Sequence, residues 1–76
     1  MSETEGMRTA YVELLDEGVT VYRPVRVRRD GDSYVLIGAQ DDAEGERWAV
    51  APGSRVRLNR HLASGGWIDV VVALEE

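Results

Sequence analysis

Val19 to Ser33, VTVYRPVRVRRDGDS, is the stretch whose reading decides the fold. Val19, Val21, Val25 and Val27 stand at alternate positions. A strand turns successive side chains to opposite faces, so the four valines mark one buried face. The other face reads Thr20, Tyr22, Pro24, Arg26 and Arg28. β-Branched side chains suit a pleated surface better than a helix. Asp30-Gly31 then signals a hairpin, because glycine takes positive φ without steric cost. The stretch therefore reads as one long strand running from Val19 into a tight turn, with the other segments packed around it.

Before it, Arg8 to Leu15 reads as a strand with Ala10, Val12 and Leu14 on one face and Tyr11, Glu13 and Leu15 on the other. Residues 1–7 form an acidic tail with Glu3 and Glu5 and little to bury, which predicts disorder and a single domain over 8–76. After the turn, Ser33 to Gly38 is a strand in which Tyr34-Val35-Leu36-Ile37 is apolar on both faces, so cover is expected on both sides. Ala39 to Glu46 is an acidic loop. Asp41, Asp42, Glu44 and Glu46 lack the spacing of a calcium loop, and no metal is expected there.

Arg47 to Val50 reads as a short strand with Trp48 and Val50 on one face. Ala51-Pro52-Gly53-Ser54 has the signature of a type II turn. In Arg55 to Leu62, Val56, Leu58 and Leu62 alternate inward, interrupted by Arg60, while Arg55, Arg57, Asn59 and His61 share the other face; a single helical turn is the alternative for its end. Ser64-Gly65-Gly66 is a turn. Trp67 to Leu74 follows, with Ile68, Val70, Val72 and Leu74 inward and Trp67, Asp69, Val71 and Ala73 outward. Five to six short strands and no long helix make an all-β protein, either a small SH3-like barrel or a strongly bent antiparallel sheet. Closure would cover the apolar edge at Val70 to Val72.

The 76 residues suffice for one domain with a small core. There is no cysteine, which removes disulfides and thiolate metal sites. The first ten residues lack the basic start and apolar centre of a signal peptide, and no apolar run approaches the ~20 residues that span a bilayer. The expectation is a cytoplasmic protein without membrane contact. All nine basic residues are arginine, and the net charge is −5. That balance counts against a surface wholly given to nucleic acid, although eight of the nine arginines lie between Arg23 and Arg60.

Glu17-Gly18-Val19-Thr20-Val21-Tyr22-Arg23-Pro24-Val25 and Arg47-Trp48-Ala49-Val50-Ala51-Pro52-Gly53-Ser54-Arg55-Val56 resemble two segments of a group of short uncharacterised bacterial proteins. These pair an E-G-x-x-V-[WY]-R-P-V segment with a W-x-[FV]-x-P-G-[SD]-x-V segment. Val50 stands where those proteins often carry an aromatic residue, a departure that bears on packing. The resemblance implies a small all-β domain and no catalytic residues.

Arg23 shares the parity of the four valines, where an unpaired charge is costly. One reading is a β-bulge at Arg23-Pro24 with the guanidinium reaching out to solvent or paired to a carboxylate such as Glu13, Asp16 or Asp69; the other is an anion site. His61 is the one histidine, and no motif links it to Ser54 or Ser64. A barrel this small also leaves little room for a pocket of ~300 Å³, so no enzyme and no cofactor are expected. Tyr11, Tyr22 and Trp67 fall on nominal outer faces, as a binding groove or as a small cluster under a loop.

Two functional readings follow. In the first, Tyr22, Trp67, Val71, Arg23 and the outward Leu15 serve an unknown protein partner or a homodimer through an outer β-face. In the second, Arg26, Arg28, Arg55 and Arg57 form a stripe for single-stranded nucleic acid or another polyanion. The net charge and the lack of lysine weigh against the second.

Overall fold

The computed structural model describes residues 6–39 and 46–74. Five strands follow one another, β1 (Met7–Glu13), β2 (Tyr22–Asp30), β3 (Ser33–Ala39), β4 (Arg55–Ala63) and β5 (Gly66–Ala73). They close in the order β1-β2-β3-β4-β5, an all-β barrel of the small SH3-like kind without a helix among the described residues. Consecutive strands pair antiparallel. With an odd number of strands the first and last run the same way, so β1 closes on β5 in parallel, at Tyr11↔Val70. The core is Ala10, Val12, Val25, Val27, Leu36, Val50, Val56 and Val71, with Tyr34, Trp48 and Leu58 packed against it.

The expected turns form. Asp30 pairs with Ser33 across a two-residue loop in which Gly31 has φ 66°. Ser54 N–H bonds to the Ala51 carbonyl at 3.2 Å around Pro52-Gly53, with Gly53 at φ 88°. Glycine at each site spares the steric cost a side chain would meet. Gly6 and Met7, assigned above to the tail, belong to the sheet: Met7 opens β1, and the Gly6 carbonyl accepts the Arg29 N–H at 2.8 Å.

Several expectations are corrected. β2 starts at Tyr22, not Val19, and Val19 is 73% exposed. Asp16 (φ 62°) and Gly18 (φ 78°) turn the chain sharply between β1 and β2, which takes Val19 off the sheet. No bulge lies at Arg23-Pro24; the register shift falls at Arg26/Val27 instead. Proline is accommodated without one. Leu14 N–H bonds to the Val21 carbonyl, and hydrogen-bonded pairs alternate along an antiparallel ladder, so Pro24 opposite Tyr11 falls at a position that donates nothing to β1. In β3, Leu36 is buried but Ile37 is exposed, so only one face is fully covered. Residues 47–50 are not a strand; Trp48 makes one isolated bridge to Leu14.

The parity of β5 is reversed. Val71 is a core residue, 4% exposed, while Ile68, Val70 and Val72 lie half-buried on the outer face. Leu62 and Leu74, expected inward, are exposed. Leu62 keeps the inward parity of Val56 and Leu58, but the β4–β5 hairpin runs on past the closed part of the barrel, and Leu62 has no core left to enter.

Candidate functional site

At one end of the barrel Arg23 stands at an inward position opposite Val12. Its guanidinium meets the Glu46 carboxylate in a fork, with Nε 3.0 and 3.1 Å from the two oxygens and Nη2 donating to Oε2. Glu46 also accepts the Trp48 indole N–H at 3.2 Å. The side chains are 27% and 16% exposed. Arg23 is thus a paired residue tying the end of the acidic loop to β2. Among the described residues it pairs with Glu46, and with none of Glu13, Asp16 and Asp69. The other carboxylates of that loop, Asp41, Asp42 and Glu44, lie outside the described residues.

The other end is shaped by what β4 does not pair with. β3 meets β4 at Tyr34↔Val56 and Val35↔Arg55 and is then spent. β4 continues to Ala63, paired only to β5. Leu74 N–H bonds to the Arg55 carbonyl, so Arg55 is a hydrogen-bonded position of the β4–β5 ladder. Alternation makes Arg57, Asn59, His61 and Ala63 bond to β5 as well. Leu58, Arg60 and Leu62 therefore aim their N–H and C=O groups away from β5, and no backbone group among the described residues meets them. Among the described residues this is an open strand edge.

An open depression of ≈490 Å³ lies beside that edge, lined by Arg8, Asp32, Tyr34, Arg57, Leu58, Arg60 and Asp69. Arg8 donates to Asp69 Oδ2 at 2.7 Å and to the Tyr34 hydroxyl at 3.4 Å. Arg57 and Arg60 have no ion pair among the described residues. Among the described residues, three guanidiniums against two carboxylates leave the mouth net positive in a chain that is net negative. Past the mouth, Leu62 and Trp67 face each other across the ladder, 59% and 63% exposed. Cross-strand partners share a face, so both lie on the same side of the hairpin as Arg60 and Asp69.

The sites expected from sequence are dispersed. Trp67 is exposed as foreseen, but on the face that continues the core, not the outer one. Val71 is buried, and with it the outer β-face loses a member. Tyr22 is half-buried, its ring 5.5 Å from that of His61. Arg28 and Arg55 flank Val35 across three strands, but Arg55 is engaged with Asp30 at 2.9 Å and Ser33 at 2.9 Å. Arg26 lines a separate depression of ≈420 Å³ with Met7, Arg8 and Thr9, and Arg57 lines the mouth. Among the described residues, the face around Val35 offers no aromatic ring on which bases could stack. Both depressions exceed the space expected of so small a barrel. Among the described residues no group of three or more histidine, cysteine, aspartate or glutamate side chains could hold a metal ion, and no helix is long and apolar enough to cross a membrane. The edge itself escaped the sequence reading because it depends on where β3 stops. Its one trace was Arg60, interrupting the inward face of β4.

No protein-family model, curated protein or solved structure matches the chain.

Proposed function

We propose that this barrel is a non-enzymatic module that binds another protein through the outer end of the β4–β5 hairpin. One observation carries the reading: Leu62 and Trp67 form an exposed cross-strand pair beside a strand edge that is unpaired among the described residues. Exposed edges template pairing with other chains, and natural proteins usually blunt or cover them. A large aromatic residue is the commonest anchor of a protein interface. Here the two occur together, where β4 runs on beyond its pairing with β3.

Photo-crosslinking tests this in cells. A benzoyl-phenylalanine at position 62 is expected to give discrete protein adducts that are lost when Trp67→Ser is added. The same group at position 19, exposed but far in sequence from the hairpin, is the control. Adducts common to both positions, or none at position 62, would remove the reading.

A further inference from the structure

We infer that the partner is engaged as an extended acidic segment that adds a strand to the β4 edge, with an acidic residue opposite Arg60 and an apolar residue two positions away beside Leu62 and Trp67. The inference rests on the reading above and names the chemistry of its partner.

Four features converge. Leu58, Arg60 and Leu62 offer three N–H and three C=O groups at ladder spacing, which is what strand addition uses for affinity. Side chains alternate along an added strand, so every second one lies over the mouth. The mouth is positive, and Arg57 and Arg60 lack an ion pair among the described residues. The apolar pair lies one ladder step beyond Arg60 on the same face. A carboxylate over Arg60 gains a charge-assisted hydrogen bond, and an apolar neighbour two residues on covers Trp67. A second copy of this chain is the poorer occupant: antiparallel β4–β4 pairing about Arg60 sets Arg60 against Arg60, and in any register β4 carries no acid to meet an arginine. Like charges directly opposite destabilise a sheet.

Fluorescence anisotropy with defined probes tests the inference on the full chain. The probe is a labelled nine-residue threonine-rich peptide with leucine and glutamate two positions apart at its centre. Its controls carry lysine for glutamate, or N-methyl groups on alternate amides that block one edge of the strand. The glutamate peptide is expected to bind at least ten times more tightly than the lysine peptide, and one of the two N-methyl registers is expected to abolish binding. Arg60→Glu is expected to reverse the charge preference, and the regained lysine-peptide binding shows that this variant is folded. Arg57→Glu, at an exposed neighbour that leaves Arg60 in place, is expected to weaken glutamate-peptide binding without reversing the preference. Equal binding of the two peptides, binding that survives both N-methyl registers, or no binding by either peptide overturns the inference. If position-62 crosslinks persist in that case, the partner is captured by other chemistry and the protein-binding reading stands; if they are absent as well, both fall.

Discussion

Glu46 gathers the Arg23 guanidinium and the Trp48 indole onto one carboxylate. The hydrogen bond from Arg23 holds its carboxyl below the ordinary value, against the opposing effect of burial and with help from Trp48. A folded-state value below the unfolded one gives stability that is complete above the unfolded value, about 4.3, and is lost as pH falls through the folded value. The chain is therefore expected to lose denaturation midpoint between about pH 5 and about pH 3 more steeply than Glu46→Gln, with urea melts at each pH as the measurement. Parallel slopes would show that the fork contributes nothing. Arg23→Met is expected to lower the midpoint clearly at neutral pH. Arg47→Met breaks the exposed Arg47–Asp16 pair, 74% and 67% exposed, and is expected to cost about 0–1 kcal/mol. At this scale the sequence was informative about Arg23 itself, because a cation at the parity of valines demands a partner. It could not single out Glu46, since pairing across so long a loop is set by the closed barrel.

Elements defined by one strong alternation were legible: β1 with Ala10 and Val12, the second half of β2 with Val25 and Val27, and the Asp30-Gly31 turn between β2 and β3. Those with apolar residues at both parities were not. Val70, Val71 and Val72 satisfy either register, and Ile68 and Leu74 tip the count toward the wrong one. The fold resolves the choice by pairing: Leu58 is inward and stands opposite Val71, whereas Val70 sits beside Tyr11 on the outer face. Val71→Ala is therefore expected to cost about 2 kcal/mol, the transfer of two buried methylene equivalents plus a cavity term. Val70→Ala is expected to cost less than about 1 kcal/mol, since its side chain is only half-buried. The reverse order in urea denaturation would restore the opposite facing of β5. Leu36→Ala, at the fully buried centre, is expected to cost about 2–5 kcal/mol.

For the whole molecule, closure and openness come from the same arithmetic. β4 has nine residues and β5 eight, while β3 has seven and meets β4 only at its start. The surplus of the β4–β5 hairpin is not matched by β3, and it carries Leu58, Arg60 and Leu62 out with one edge unpaired among the described residues. The density of short strands spoke for a small barrel, and the net charge of −5 spoke against a wholly basic surface. Neither showed that, among the described residues, a locally positive mouth would form where two strands, β1 and β4, bring Arg8, Arg57 and Arg60 together. The open edge is the central claim, and residue-resolved hydrogen exchange by NMR tests it most directly. In the free protein the amides of Asn59 and His61 are expected to exchange slowly and those of Leu58, Arg60 and Leu62 quickly, an alternation that the glutamate peptide abolishes by protecting the fast set. Slow exchange at Leu58, Arg60 and Leu62 in the free monomer would mean that the edge is already covered, and would contradict the account.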